Sequence, residues 1–197
     1  PEEFGGSNFG LSGIGIVLQE LGRTLTPSPL FATGVIGASF ISKLGTDDQK
    51  SKYLPEIANG NLTCCFAFEE GPRHKPTVSE VTAKKTGQNY IINGKKTFVV
   101  DGGFADLIII AAKTLKGSSL FLVDKNSKGI DVNIAKMVDS RNSANIVFTN
   151  LEVAAENILG EIDQAQDTIE EILDMSRAAL AAEMLGGALE AFEITIN

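Results

Sequence analysis

Residues 62–113 read LTCCFAFEEGPRHKPTVSEVTAKKTGQNYIINGKKTFVVDGGFADLIIIAAK, and this stretch decides the fold. An apolar run opens it, a basic loop bracketed by prolines follows, and the remainder predicts three strands separated by short turns. Asn93-Gly94 is a two-residue signal that favours a type I′ hairpin. Because the flanking segments are helical or continue the sheet, we expect any small-molecule site to lie where sheet and helices meet.

Composition bounds the class of protein. The 197 residues are 43% hydrophobic and 21% charged, which is typical of a globular chain. No apolar run approaches the roughly 20 residues that a bilayer-spanning helix needs, so we predict a cytoplasmic protein without a membrane span. The net charge of −8, with lysines and arginines scattered, argues against a nucleic-acid partner, because phosphate neutralisation needs a basic stripe.

Two rare residue types exclude several kinds of site. Cys64 and Cys65 are the only cysteines, and their adjacency predicts buried, reduced core residues rather than a disulfide or a thiolate metal site. His74 is the only histidine, which excludes a two-histidine metal site. It lies in the loop 72–76, PRHKP, which is either a solvated basic turn or an anion-binding loop.

Helical periodicity flanks the strands on both sides. Apolar residues at three-to-four spacing predict helices over 11–22 and 29–44, and the capping box TDDQ at 46–49 begins a third. Further strands are predicted at 119–123, 130–134 and 145–148, and the helical period returns from 163 to the end.

The prediction is therefore an α+β multi-domain chain. Helices occupy residues 1–61, an antiparallel β-barrel or sandwich occupies 62–160, and residues 161–197 begin a helical bundle.

The order of these segments resembles the acyl-CoA dehydrogenase family along essentially the whole chain. Each matching piece is weak alone, but together they follow the family's order. They are PEEFGG at 1–6, LQELGR at 18–23, GT at 45–46 with QK at 49–50, YLP at 53–55, Gly60, FAF at 66–68, Glu70, TA at 82–83, ING at 92–94, Lys96, GG at 102–103, AD at 105–106, LFLV at 120–123, VF at 147–148, Val153, LG at 159–160 and Arg177.

The resemblance implies FAD held between the β domain and a C-terminal four-helix domain, with this chain a divergent member lacking both ends of the family's length. The implied reaction is α,β-dehydrogenation of an acyl-CoA thioester, in which a Glu removes the α-proton and the β-hydride passes to flavin N5. It also implies electron-transfer flavoprotein as electron acceptor and a homo- or hetero-oligomer. Two alternatives stay open: a non-catalytic partner subunit of a heteromeric acyl-CoA dehydrogenase, and another flavin enzyme on this fold.

Carried over residue by residue, the resemblance also implies a set of cofactor contacts, three of them altered from the family. Glu69 stands where the family usually has Thr, Phe98 replaces Trp, and Val100 replaces a Thr that bonds near N5. The implied cofactor-binding residues are Phe66, Phe68, Glu69, Phe98, Val99 and Val100.

The implied substrate contacts are basic. Arg73 and Lys75 lie in the loop that replaces the family's Gly-x-Gly-Ser-Asp, and they would substitute positive charge for the lost donors at an anionic phosphate. Arg177 matches a family arginine. The residue before it, Ser176, occupies a position that carries the base in some branches, and it cannot remove a carbon-bound proton unaided, so the sequence assigns no catalytic base.

Overall fold

The structure is a computed structural model that describes residues 1–138 and 141–196. Helices pack at one side of a single mixed sheet. The helical segments are α1 (Gly10–Arg23), a π-helical segment (Leu30–Gly37) continued by α2 (Ala38–Leu44), α3 (Asp47–Ala58) and α4 (Gln166–Ile196), with short 3₁₀ turns at Glu2–Phe4 and Ala155–Asn157. None of the helices in the described ranges is long and apolar enough to cross a membrane.

The predicted capping box is confirmed, and it also joins α3 to the sheet. Thr46 Oγ1 accepts a bond from the Gln49 amide at 3.2 Å, and Gln49 Oε1 accepts one from the Thr46 amide at 3.1 Å. The Gln49 side-chain amide then donates to the carbonyls of Glu156 and Ile158, both at 2.9 Å. A residue predicted to begin a helix therefore also anchors that helix to the end of the β domain.

The predicted fold class is confirmed, with one refinement of the sheet. The strands are β1 Cys64–Ala67, β2 Thr82–Thr86, β3 Asn89–Val100, β4 Leu107–Lys113, β5 Ser118–Asp124, β6 Ile130–Lys136, β7 Asn142–Ala154 and β8 Ile158–Leu159. Seven of them follow the order β6-β7-β3-β2-β4-β5-β8 in the sheet. Most neighbouring strands are antiparallel, but β1 pairs with β4 in parallel, and β2 touches β4 in parallel at one position.

The hairpin predicted at Asn93-Gly94 is wrong. The two residues lie inside β3, where the pairing with β7 shifts register, and Gly94 has φ +134°. Asn93 Oδ1 accepts the Asn150 amide at 2.8 Å, and a Cβ at Gly94 would come within 2.8 Å of Val81 Cα. The pair therefore forms a bulge that lets two backbones approach closely, and the two-residue turn between β2 and β3 is at 87–88 instead.

Strand β4 carries the core because both of its faces are covered. Ile108 and Ile110 face a cluster that includes Phe121 and Phe148. Ile109 faces the helices, as do Leu107 and Ala111. The first cluster collects residues from β1 to β5 and from β7, so the sheet curls around it. This double burial explains the continuous apolar run in the sequence.

The two cysteines behave as predicted. Both thiols are free and fully buried, Cys64 against the helices and Cys65 inside the curled sheet. Burial raises the pKa of the Cys64 thiol to about 12. Such a thiol is a packing group and not a nucleophile at neutral pH.

Helices α1 and α4 cross at very close range through glycine. A Cβ added at Gly22 would overlap the carbonyl of Glu183, and one added at Gly186 would overlap the carbonyl of Gln19. Leu18 fills the contact beside this crossing together with Ala179. The position of α4 is thus set by backbone-to-backbone contact with α1.

Candidate functional site

The large cavity, of about 680 Å³, opens where β1 and β3 end. Its volume lies within the range of about 300–1,000 Å³ that small-molecule sites occupy. Its lining residues are Glu69, Glu70, Gly71, Pro72, His74, Lys95, Thr97, Phe98 and Asn145. The structure therefore brings the altered residues Glu69, Phe98 and the 72–76 loop to one cavity.

A buried ion pair lies beneath the large cavity, and we name Phe68, Glu70 and Lys96 its floor, of which only Glu70 belongs to the lining. Lys96 Nζ lies 3.0 Å from Glu70 Oε1 and 2.8 Å from the Phe68 carbonyl oxygen, and the two charged side chains are 0% and 4% exposed. Burial lowers the pKa of Lys96 to about 8, although the Glu70 carboxylate opposes that shift. Loss of either partner would leave the other charge buried without compensation.

Glu70 also closes the base of the basic loop. Its carboxylate accepts the amides of Ser79 and Glu80, both at 2.8 Å, and that of Val81 at 2.9 Å. Burial alone would raise the pKa of Glu70, but these three amides and the Lys96 charge outweigh it and lower the pKa to about 2. One ionised carboxylate therefore fixes both ends of the loop that runs from 71 to 78.

The rim of the large cavity, defined as Glu69, His74 and Phe98, is more exposed. His74 Nδ1 lies 2.6 Å from Glu69 Oε1, with the two side chains 49% and 31% exposed. The imidazole also packs against the ring of Phe68, with 6.0 Å between the two ring centroids. The only histidine of the chain is thus held beside Glu69, which the resemblance predicts to stand where the family usually has threonine.

Phe98 has an unusual backbone. Its φ is +50°, it lies in the second register shift of β3 and it remains 55% exposed. Its amide reaches Asn145 Oδ1 at 3.4 Å. A bulky aromatic residue in the left-handed region is a genuine outlier, and such strain clusters at functional sites.

The other predicted cofactor contacts are distributed differently. Val99 is 2% exposed and points into the curled-sheet core, while Val100 lines smaller cavities on the opposite side of Phe98. Phe66 stacks on Phe68 at 5.4 Å and contacts the helices. The structure therefore brings Glu69 and Phe98 to the lining of the large cavity and leaves Phe66, Phe68, Val99 and Val100 outside it.

The three predicted substrate contacts differ in their availability. Lys75 pairs with Glu80 at 3.6 Å, and Arg177 pairs with Asp174 and is 60% exposed outside the large-cavity lining. Arg73 is exposed, and among the described residues no hydrogen bond or ion pair holds it. Arg73 is thus the loop cation most available to an anion.

A second cavity, here named the lysine cavity, lies beyond the basic loop. It measures about 650 Å³, and Lys84, Lys85 and Lys113 line it together with Ser79. The facing carboxylate, Asp163, is occupied by the amides of Lys116 and Gly117, both at 2.9 Å. Sequence reasoning missed this cluster because Lys113 comes beside β2 only through the parallel contact of β2 with β4.

Within the described ranges, no group of three or more His, Cys, Asp or Glu side chains is arranged to hold a metal ion.

Comparison with known proteins agrees with this architecture. The acyl-CoA dehydrogenase N-terminal domain model matches residues 1–61, and the acyl-CoA dehydrogenase middle domain model matches residues 65–151. A 3-(aryl)acrylate reductase of Clostridium sporogenes is 30% identical across 100% of this chain and 55% of its own length. A short-chain-specific acyl-CoA dehydrogenase of Clostridium acetobutylicum is also 30% identical, across 97% of this chain and 53% of its own length.

A solved structure supports the same fold. A glutaryl-CoA dehydrogenase from Mycobacterium smegmatis, in complex with FADH2, superposes with a TM-score of 0.90 at 24% identity, over 98% of this chain and 51% of that one. The chain spans about half the length of the curated relatives it matches. It belongs to the acyl-CoA dehydrogenase family, a family of flavin-dependent oxidoreductases.

Proposed function

We propose that the complete protein is an FAD-dependent enzyme that dehydrogenates an acyl-CoA thioester between its α and β carbons. The observation that carries the proposal is the large cavity, whose lining combines the strained, exposed Phe98 with Glu69, Glu70 and His74. We infer that this cavity forms part of the flavin site. The chemistry that FAD supplies in such a reaction is acceptance of a hydride from the β-carbon.

The rim residues fit a flavin ring despite their substitutions. A threonine hydroxyl both donates and accepts, whereas an ionised Glu69 only accepts. His74 Nδ1 lies 2.6 Å from Glu69 Oε1, so the imidazole orients a carboxylate that would accept from an N–H of the ring. The exposed Phe98 ring offers a surface for stacking.

The substrate proposal rests on the distribution of positive charge. A CoA thioester carries phosphates at its nucleotide end, which lysine and arginine bind by charge-assisted hydrogen bonds. Arg73 lies within the loop that Glu70 closes, and Ser79, at the end of that loop, lines the lysine cavity. The proposed ligand is therefore one extended anion that contacts both. The proposed substrate-binding residues are Arg73, Lys84 and Lys113, with Lys75 and Arg177 secondary because each already has a carboxylate partner.

The proposal assigns no catalytic base to this chain. Ser176 is buried, and its hydroxyl donates to the Ile172 carbonyl at 2.6 Å. A hydroxyl committed to its own helix cannot remove a carbon-bound proton.

Several further points are part of the proposal. They are the division at 1–61, 62–160 and 161–197, electron-transfer flavoprotein as acceptor, a dimer or tetramer, and a cytoplasmic location.

A second candidate is a non-catalytic partner subunit of a heteromeric acyl-CoA dehydrogenase. The identity of Ser176 and the replacement of the Gly-Ser loop by 72–76 favour it. In that case the fold would be retained for assembly with an active sibling, since fold does not determine function.

The visible spectrum of the full-length protein tests the first proposal. We expect a flavin absorption band that an acyl-CoA bleaches under anaerobic conditions. A colourless protein, or a yellow one that no acyl-CoA reduces, would contradict the dehydrogenase proposal. A protein that binds flavin only after a sibling subunit is added would favour the second candidate.

Matched substitutions test the proposed anion contacts. Arg73→Ala and the double change Lys84→Ala with Lys113→Ala should each weaken CoA-ester binding, and the loss should shrink at high salt. Lys75→Ala should have a smaller effect, because Glu80 already neutralises it. Lys128→Ala, an exposed lysine in the turn after β5, is the control and should change nothing.

A further inference from the structure

The lysine cavity gathers positive charge on a chain whose net charge is −8. Lys84, Lys85 and Lys113 line it, and all three are exposed. Within the described ranges, none of the three side chains forms an ion pair or donates a hydrogen bond. Their charges are therefore available to an anion, and a cavity lined by one sign of charge raises the local concentration of its counter-ion.

Asp163 brings a carboxylate to the lysine cavity, but that carboxylate is committed to a turn. Its Oδ1 atom accepts bonds from the Thr114 hydroxyl at 2.5 Å and from the amides of Lys116 and Gly117, both at 2.9 Å. These bonds lower the pKa of Asp163, so the carboxylate stays ionised at neutral pH. Three lysines against this one carboxylate, in the lining that the structure describes, leave the lysine cavity with a net positive charge.

Strand register places two of the lysines together. Thr82 of β2 is paired directly with Lys113 of β4, and Lys84 lies two residues further along β2. Since side chains two residues apart point to the same face of a sheet, Lys84 and Lys113 are diagonal neighbours on one face. Diagonal neighbours on adjacent strands lie roughly 7–8 Å apart, which is within reach of long side chains. The two ammonium groups can therefore contact one phosphate together.

Tyr90 adds a fixed polar group to the lysine cavity. The residue is 7% exposed, and its ring packs in the curled-sheet core at 5.4 Å, between ring centroids, from Phe121. It also lines the lysine cavity, and among the described residues its hydroxyl has no hydrogen-bond partner. The hydroxyl of a buried tyrosine usually has a partner, so this one is free to bond a ligand.

The remaining wall of the lysine cavity is apolar. Leu115, which is 90% exposed, and the half-buried Ile162 both line it. A ligand with a single carboxylate would neutralise one lysine, whereas a phosphomonoester carries about −1.5 to −2 charges and three acceptor oxygens. An apolar wall beside two neighbouring lysines therefore fits a nucleotide, in which a flat base is joined to a phosphate.

We propose that the lysine cavity binds a nucleoside phosphomonoester. Lys84 and Lys113 hold the phosphate, the Tyr90 hydroxyl bonds the ligand, and Leu115 and Ile162 contact the base. Two sources share this chemistry: the nucleotide end of a CoA thioester and a free nucleotide. The first source rests on the proposed function, whereas the site itself does not.

Calorimetric titration of the full-length holoprotein tests the ligand class. Adenosine 3′,5′-bisphosphate should bind about tenfold or more tightly than either adenosine or inorganic phosphate, because only the nucleotide uses both the lysines and the apolar wall. Adenosine binding equally well would show that the lysines are not used. Inorganic phosphate binding equally well would show that the apolar wall is not used, and either result overturns the proposal.

A matched pair of double substitutions locates the binding. Lys84→Ala with Lys113→Ala should weaken binding of the bisphosphate about tenfold or more, and the loss should shrink at high salt. Lys128→Ala with Lys136→Ala, which removes two exposed lysines outside the lysine cavity, is the control and should leave affinity unchanged. Equal losses in the two double variants would mean that net charge alone attracts the ligand, which contradicts the proposal.

Tyr90→Phe separates recognition from packing, because the ring stays in the core and the hydroxyl is lost. Affinity for the bisphosphate should fall about two- to tenfold. Thermal unfolding should stay unchanged, since the hydroxyl has no partner among the described residues. A variant that loses stability and keeps its affinity would contradict the assignment of this hydroxyl to the ligand.

Competition with S-butyl-CoA, a thioether that cannot be dehydrogenated, distinguishes the two sources. Displacement of the bisphosphate by S-butyl-CoA identifies the ligand as the nucleotide end of CoA, and simultaneous binding of both identifies a free nucleotide. If no acyl-CoA reduces the flavin while bisphosphate binding still depends on Lys84 and Lys113, the proposed function has failed and the nucleotide site stands. Bisphosphate binding that survives the Lys84 and Lys113 substitutions overturns it.

Discussion

Two consecutive glutamates belong to two very different regions of the large cavity. Glu70, in the floor, has a 4% exposed side chain and is satisfied by Lys96 and three amides. Glu69, in the rim, is 31% exposed and has His74 as its partner. The resemblance to the family predicts that Glu70 and Lys96 match it, whereas Glu69 and Phe98 depart from it. On that prediction, the difference teaches that the buried support of the cavity is retained while the surface facing a ligand has changed.

The largest expected effect is on the floor. Lys96→Ala leaves Glu70 buried without its ion-pair partner, and breaking a buried pair in this way costs about 3–5 kcal/mol of unfolding free energy. Urea denaturation of the full-length protein measures it. Lys95→Ala is the control, because the neighbouring side chain is exposed and its loss should cost no more than about 0.5 kcal/mol. Equal losses in both variants would show that the floor pair does not stabilise the fold.

Glu70→Gln should come next, with a loss of about 1–3 kcal/mol at pH 7. Its pH dependence is more informative. The pKa of Glu70 falls from 4.5 to about 2 on folding, so the unfolded chain binds the proton first as pH is lowered. Stability from this group is complete above about pH 4.5 and is lost toward pH 2.

The Glu70→Gln variant should therefore lose less stability than the parent between about pH 5 and 2.5, measured by denaturation at each pH. Glu69→Gln, the same substitution one residue earlier, serves as control and should keep the parental slope. A parental slope in Glu70→Gln would contradict the assignment of acid sensitivity to the floor.

A smaller effect on stability is expected at Phe98. Phe98→Asn relieves a left-handed strain of about 1–2 kcal/mol but loses partial burial of the ring, so the net change should stay within about 1 kcal/mol. Flavin affinity should fall about two- to tenfold with loss of an aromatic contact. Fluorescence titration of the apoprotein with FAD measures it. Unchanged affinity would mean that the strained ring does not contact the cofactor.

The smallest effect on stability is expected for His74→Ala. The His74–Glu69 contact is largely exposed, and exposed pairs contribute at most about 0.2–1 kcal/mol, so thermal unfolding should shift little. Flavin affinity should nevertheless fall, because Glu69 is left without its partner, and Glu69→Thr in the same background should restore it. A large destabilisation would show that the rim, like the floor, stabilises the fold, and would contradict this prediction.

Local signals in the sequence predicted most of the elements. The capping box at Thr46 and Gln49 depends on residues three apart, and the apolar runs of β4 and β5 depend on neighbours, so both were visible. The Asn93-Gly94 hairpin failed because that signal is also local. Pairing along the whole of β3 with the 13-residue β7 outweighs it, and the glycine conformation is used for a bulge.

The site was predictable in part for the same reason. The exposed loop at 72–76 and the divergence at Glu69 could be predicted because both depend only on residues adjacent in the sequence. The partnership of Glu70 with Lys96 joins residues 26 positions apart, and that of Arg141 with Glu183 joins residues 42 apart. Such contacts depend on strand register and on the docking of α4, which periodicity does not encode.

The glycine crossing of α1 and α4 has a consequence for selectivity. Gly22 and Gly186 leave no side chain between the two backbones that could give way, so α4 cannot slide without separating from α1. Leu180, which lines a cavity of about 170 Å³ beside Phe98, is carried by that helix, so this part of the cavity wall is preorganised before a ligand arrives. Binding would then require little ordering entropy, and discrimination would come from rigid shape and charge rather than from induced fit.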